Sequence, residues 1–534
     1  MTRTRTGAVL VAAVIVAGAG LTGCSEGTDS GALTVGTTEK VTGIDPAGSY
    51  DMGSFTVMNQ VYPFLMNTPY GASDPEPDIA ASAQFTTPTE YTVTLKPGLT
   101  FANGNALTAS DVKFSFDRQL AIKDPNGPSV LLSNLDRTEM VDDTTVVFHL
   151  KTADDHTFAQ VLASPAGPIV DEEVFAPDAL TSDSAIVAGQ PFAGPYTITA
   201  FELNQQITYQ ANPVYKGLFA SRTAKVVAKY YARSSSLKRD VQAGTVDVAY
   251  RNLSPADIVD LRADDTVKVV EAPGGEIRFL VFNTDTQPYG AAAADADLVK
   301  AGAVRQAVAH LLDREVLADY VYKGTYAPLY SHVPVGLTGA TAPLYAAYGD
   351  GQGGPSLERA EQVLAEAEVT TPVSLTVHYV SDHYGPASSD EFAQVKKQLE
   401  AGGLFRIKLA PAEWVQFTDE RITAEYPAYQ LGWFPDYSDA DNYLSAFFAP
   451  DNILANHFQD PVITDAIVAA RGIADPAERA AALEQIQADL AVALPTLPYL
   501  QSVQVAATGT NVSGVERTLD ASGKFRYSAL ALTD

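Results

Sequence analysis

The sequence predicts a mixed α/β fold with more than one domain, and three observations carry that expectation. At 534 residues the chain is longer than one ordinary core accommodates. Stretches of period-two apolar alternation and stretches of three- and four-residue periodicity are interleaved along its whole length. No short repeat period runs through it, which sets solenoids and propellers aside.

The first segment reads as a leader. Arg3 and Arg5 precede an apolar run from Ala8 to Gly20, short for a membrane span and suited to a signal-peptide core. Leu21-Thr22-Gly23-Cys24 follows and resembles a bacterial lipobox, in which the cysteine sulfur receives a diacylglyceryl group and cleavage falls just before it. Cys24 is the only cysteine in the chain. The expectation is a lipoprotein signal peptide over 1–23 and a small, polar tether over 24–31. The mature protein is then extracytoplasmic and held to the membrane through Cys24. Two acyl chains together anchor stably where one is marginal.

Strands come next. Tyr91, Val93 and Leu95 alternate with polar residues in TEYTVTL, and TTVVFHL (144–150), PYTITAF (195–201), QQITYQ (205–210), RFLVF (278–282) and SLTVHY (374–379) read the same way. Helices lie between them. Thr108 with Asp111 forms a capping-box pattern that opens a helix through DVKFSFDRQL. Val304, Ala307, Val308, Leu311, Leu312 and Val316 make one apolar stripe through AVRQAVAHLLDREV. Asp475 as N-cap, Pro476 at the first helical position and Glu478 three residues on begin a helix that turns Leu483, Ile486 and Leu490 inward. The loops 73–77, 123–128 and 349–355 are too short to separate independent modules.

Charge and motif content narrow the function. Thirty-five basic residues stand against 64 acidic ones, a net charge of −29, and no local basic patch offsets it; this argues against nucleic acid as a partner. No G-x-S-x-G, H-E-x-x-H or phosphate-loop motif occurs. The seven histidines are scattered, and His378 with His383 lacks a third ligand, so no metal and no cofactor is expected. Asp439-Ala440-Asp441 lacks the glycine and terminal glutamate of a calcium loop. Asp154-Asp155 and Asp264-Asp265 read as solvated loop charges. The weight moves from catalysis toward binding, and no catalytic residue is assigned.

GWFPDYSDADN, residues 432–442, concentrates Trp433, Phe434, Tyr437 and three aspartates. Aromatic rings favour burial and carboxylates resist it. Two readings follow: a partly enclosed surface that recognises something polar, or a core tryptophan followed by a solvated turn.

LKPGLTFANGNALTASDVKFSFDR (95–118) resembles the signature of the family 5 extracellular solute-binding proteins, the peptide-binding subunits of ATP-driven importers. GPYTITAFELNQQITYQANPVY (194–215), LKRDVQAGTVDVAY (237–250), VFNTDTQPY (281–289), AVRQAVAHLLDRE (303–315), SLERAEQVLAEA (356–367) and GWFPDYSDADNYL (432–444) follow in the family's order. The resemblance implies a two-lobed flytrap with an additional small domain. Lobe I comprises 32–70 with 191–278 and 499–534, the inserted domain 71–190, and lobe II 279–498. It also implies a hinge at the lobe crossovers, a short peptide as ligand, the permease and ATPase of an ABC importer as partners, and a monomer.

In the oligopeptide binders of that family, an aspartate in a Gly-Trp-x-x-Asp-Tyr segment pairs with the ligand's α-ammonium, and Asp436 stands at that place. The resemblance also puts Trp433, Phe434 and Tyr437 at the ligand, together with Trp414, twenty-two residues before Asp436. Tyr50, Asp51 and Met52 match a segment that reaches the cleft from lobe I. Arg278 and Arg421 are candidates for the ligand's carboxylate. Ser438 to Asp441 departs from the Asp-Pro that relatives often show there, so ligand length and class stay open. A non-peptide solute such as a metal chelate, haem or an oligosaccharide is the alternative on the same fold. A surface peptide hydrolase and a receptor that reports to a sensor protein are alternatives of other classes.

Overall fold

The computed structural model describes residues 31–533 except 386, 424, 425 and 451. The expected leader 1–23, the lipidation candidate Cys24 and residues 25–30 of the tether lie outside the described residues. Among those described, no helix is long and apolar enough to cross a membrane.

Two long antiparallel strands organise the molecule. Val267–Phe282 and Thr496–Gly509 pair along most of their lengths, with a register break between Pro273 and Ile277. On one side of the break the sheet continues through Ala428–Trp433, Val373–Val380 and Phe405–Ala412. On the other it continues through Val248–Ala249, Ala32–Thr37, Lys225–Tyr230, Gln206–Ala211 and Tyr196–Glu202. One sheet thus carries both lobes. The two strands that join them form the crossover.

Side-chain alternation explains why each lobe has a core on both sheet faces. Ile277, Phe279 and Val281 face one apolar cluster and Leu280 and Phe282 the other, as a strand's period of two requires. In the first lobe Ala506 packs with Leu33, Val226 and Tyr209, whereas Val505 and Ala507 pack with Leu237 and Ile258. A separate four-stranded antiparallel sheet, Ala80–Thr87, Glu90–Leu95, Thr145–Leu150 and Leu135–Asp142 in spatial order, holds its own core around Val93, Phe116 and Phe148. Val170, Phe175 and Ile186, which the expected boundary at 190 assigns to this unit, pack instead in the first lobe.

Most expected elements form where their patterns lie. The capping box at Thr108 and Asp111 starts the helix Ala109–Ile122, and Asp475 caps Pro476–Ala493 through the amides of Ala477 and Glu478. The stripe from Val304 to Val316 is interrupted. Leu298–Leu311 ends at Leu312, whose backbone is extended, and the Asp313 side chain accepts from Val316 N at 3.0 Å to cap a new turn. A capping aspartate inside an apolar period overrides the period. Asp155 also departs from its expectation. It is buried, accepting from Asn134 Nδ2 at 2.6 Å and Thr157 Oγ1 at 2.6 Å, while Asp154 is exposed.

A candidate ligand cleft between the lobes

The register break places a cavity at the crossover. Its empty space, counted out to open solvent, is about 1080 Å³. Gly275 and Glu276 of the break form part of its wall, with Tyr322, Tyr326, Tyr384 and Phe434 from lobe II and Met52, Tyr250 and Arg251 from lobe I. Gly275 is required by close approach: a Cβ there would stand 2.7 Å from both Pro435 Cγ and the Ala521 carbonyl oxygen. Tyr443 donates its hydroxyl to the Gly275 carbonyl at 2.6 Å, which fixes the crossover against lobe II.

Backbone groups contribute to the wall as well. The edge of Thr496–Gly509 that faces away from Val267–Phe282 pairs with Tyr326–Pro328 at Leu500 to Ser502 and with Val248–Ala249 at Ala507 and Thr508. Between those two pairings Val503 N donates to the Thr325 carbonyl at 3.0 Å, the described residues supply no strand beside Gln504 and Val505, and Val503 to Val505 line the cavity there.

Asp436 lies beside this cavity, beyond Phe434 and Pro435. Its Oδ1 accepts the hydroxyl of Tyr50 from the other lobe, and its Oδ2 accepts Asn442 Nδ2 at 3.0 Å. Asn442 organises the segment, because its Oδ1 accepts both Asp436 N at 3.0 Å and Trp433 Nε1 at 2.9 Å. Among the described residues no cationic side chain pairs with Asp436. Burial pushes its carboxyl up from the ordinary value, and the hydrogen bonds from Asn442 and Tyr50 oppose that shift. Burial, and then the Asp436 charge, raises the Tyr50 hydroxyl.

The neighbouring aspartates are differently placed. Asp439 receives Arg479 through two bonds of 2.7 Å, and Asp441 receives Arg471 at 2.9 and 3.1 Å. Two internal ion pairs therefore occupy the carboxylates that a calcium loop would have offered.

The expected ligand residues separate into groups. Met52 and Phe434 line the cavity, and Tyr50, Trp433 and Asp436 are gathered through hydrogen bonds at its edge. Trp433 also packs edge-on to Phe447 at 5.4 Å. Trp414 is not part of the wall; it stacks on His383 at 4.0 Å and meets Tyr384, which is, at 5.8 Å. Tyr437 packs against the four-stranded unit and donates to Asp441 Oδ2 at 3.3 Å. Asp51 caps the helix Met52–Val61, accepting from Ser54 N at 2.8 Å.

The two arginines expected for a ligand carboxylate are engaged elsewhere. Arg278 is buried, pairs with Glu276 at 2.6 Å, donates to the Tyr326 hydroxyl at 2.8 Å and lies over the Tyr384 ring at 4.2 Å. Arg421 donates to the Ile453 carbonyl at 2.6 Å. His378 stacks on Tyr426 at 3.7 Å, away from His383, and among the described residues no group of three His, Cys, Asp or Glu side chains could hold a metal. Sequence reasoning missed Arg251, a single arginine after a two-residue strand, for which no local pattern exists. It pairs with Glu39 at 2.9 Å. Burial opposes its charge, but the carboxylates of Glu39 and Glu276 and the Tyr250 hydroxyl hold its pKa above the usual arginine value.

The cleft's geometry suits reversible enclosure of a partly polar solute between two lobes. Comparison with known proteins agrees. The chain is 27% identical over 517 residues to Heme-binding protein A of Haemophilus influenzae, covering 88% of this chain and 87% of that protein. It is 22% identical to the Dipeptide-binding protein DppE of Bacillus subtilis, over 91% of this chain and 89% of that protein. The unliganded open form of the periplasmic murein tripeptide binding protein MppA superposes with a TM-score of 0.79 at 18% identity, covering 94% of this chain and 97% of that one. These relatives are named for binding rather than catalysis. The family model for bacterial extracellular solute-binding proteins, family 5, matches residues 74–454, and the chain belongs to that family.

Proposed function

We propose that the protein is the lipid-anchored, substrate-binding component of an ABC importer, capturing short peptides outside the cell and delivering them to a membrane permease and its ATPase. Asp436 carries this reading: a half-enclosed carboxylate at the seam between the lobes, held by neutral donors only. A peptide's α-ammonium supplies the charge that such a group lacks. Beyond Val503, where no described strand pairs with Gln504 and Val505 on the cavity side, the strand edge gives an extended peptide a backbone with which to pair, and the Tyr and Phe walls accept varied side chains. In this reading Cys24 holds the protein to the outer face of the membrane, the binding unit acts as a monomer and needs no cofactor, and the lobes turn about the break at Pro273 to Ile277.

Denaturing mass spectrometry of small molecules released from the purified protein tests the reading, because enclosed ligands leave only when the lobes open. A ladder of short peptides is expected. The 27% identical relative named for haem favours a second reading on the same fold. Release of haem or another single non-peptide species would transfer the function to it and leave Asp436 without its partner.

A further inference from the structure

Two of the residues that line the cavity carry charge, Arg251 and Glu276. Glu276 is matched inside the protein, since its Oε1 accepts both Arg278 Nη2 at 2.6 Å and the Tyr326 hydroxyl at 2.6 Å. Arg251 is only partly matched. Nη1 donates to Glu39 Oε1 at 2.9 Å, and its Nε and Nη2 make no hydrogen bond to the described residues. A guanidinium offers five N–H donors in a planar fork that fits a carboxylate with two parallel bonds. Here its side chain is 23% exposed.

The position is also fixed in advance. The Arg251 carbonyl accepts Thr38 Oγ1 at 3.3 Å, and the preceding Tyr250 stacks on Phe525 at 4.0 Å while donating to Gln504 Oε1 at 2.7 Å. A charged fork held on a rigid loop loses little freedom when a ligand arrives.

We infer that Arg251 is the lobe I anchor for a carboxylate of the ligand. The inference deepens the peptide reading and rests on it: Asp436 takes the positive end of the peptide, and Arg251 takes a negative group, either the terminal carboxylate or an acidic side chain. Glu39 is a positioning residue. It holds the guanidinium by one edge and leaves the other for the ligand.

The test offers the full chain, purified in detergent, a random tetrapeptide library in two forms, free acid and C-terminal amide, with retained peptides read by mass spectrometry. The wild type is expected to retain acids at least tenfold over amides, and Arg251→Gln to bring that ratio near one. Because that change strands Glu39, the double variant Arg251→Gln with Glu39→Gln removes both charges, and it should show the same loss with an unchanged melting temperature. If the retained amides are instead enriched in Asp or Glu at a fixed position, and the enrichment disappears in both variants, the anchored carboxylate is a side chain. Equal retention of acids and amides without acidic enrichment, or discrimination that survives in the double variant, would overturn the role of Arg251 and leave the peptide reading standing. Retention of no peptide by the wild type would overturn both.

Discussion

Two halves of one segment, Gly432 to Asp436 and Tyr437 to Asn442, use the same side chain for opposite ends. In the second half Asp439 and Asp441 are buried and each is met by a two-bonded arginine. In the first half Asp436 meets a tyrosine hydroxyl and an amide. The flanking contacts differ in the same sense. The second half packs against the four-stranded unit, where Gln160 reaches the Ser438 carbonyl at 3.5 Å, while the first half faces the seam between the lobes. A carboxylate with an internal cation is architecture. A carboxylate at a seam without one carries a charge that no described cation balances.

The largest effect expected from breaking this contrast is on stability. Asp441→Ala strands Arg471, removes the acceptor of Ser445 and takes an acidic group from the first turn of Asp441–Phe448. Loss of one partner of a fully buried pair typically costs ~3–5 kcal/mol; the Arg471 side chain is 37% exposed and water offsets part of that cost, so urea unfolding should show a loss toward the lower end, about 3 kcal/mol. Asp436→Asn should leave the unfolding midpoint nearly unchanged. A comparable loss of stability in both variants would erase the distinction between the halves.

The next effect is on binding. Asp436→Asn should weaken free peptides by roughly 2–5 kcal/mol and N-acetylated peptides much less, as isothermal titration would show. Its pH dependence has a definite sign. Because burial raises the Asp436 carboxyl, the folded protein takes up this proton before the unfolded chain does. The group's contribution to stability is therefore fully present in acid and is lost as pH rises through the folded pKa. Attraction for an ammonium runs the other way, complete above that pKa and lost below it. Wild-type affinity should fall on acidification while the Asn variant stays flat, and parallel profiles would remove Asp436 from the ligand.

Much of the fold was legible in local pattern. Thr108 with Asp111, Asp475 with Pro476, and the alternations at Glu90–Leu95 and Val373–Val380 announce themselves because the groups that decide them lie within a few residues of one another. The crossover was less legible. Pro273-Gly274-Gly275 consists of residues that weaken strands, yet the strand runs through it from Val267 to Phe282 because a second strand, Thr496–Gly509, pairs on both sides of the break. In the site, Asp436 came from resemblance, and the placement of Trp414 behind Tyr384 could not be read from its spacing. Arg251 left no signal, since what distinguishes it is a cavity assembled from both lobes.

The smallest effect concerns how the seam is held without ligand. The Tyr50 hydroxyl joins Asp436 across the lobes, and Tyr50→Phe deletes that bond while keeping the ring. Asp436 is partly exposed, so water can replace the lost donor, and the net change should be about 1 kcal/mol. A shift of that size leaves the folded state intact and moves a balance between closed and open lobes by about five- to sixfold. Small-angle scattering of ligand-free protein should therefore give a larger radius of gyration for Tyr50→Phe than for the wild type, and the two should converge when peptide is added. Asp441→Ala, whose broken pair lies within one lobe, should leave that radius unchanged in the folded protein. Identical ligand-free radii for Tyr50→Phe and wild type would mean that the hydroxyl satisfies Asp436 without holding the lobes together, and that closure rests on the other contacts across the seam, such as Arg262 with the Lys323 carbonyl at 2.6 Å and Thr338 with Asp74 at 3.0 Å.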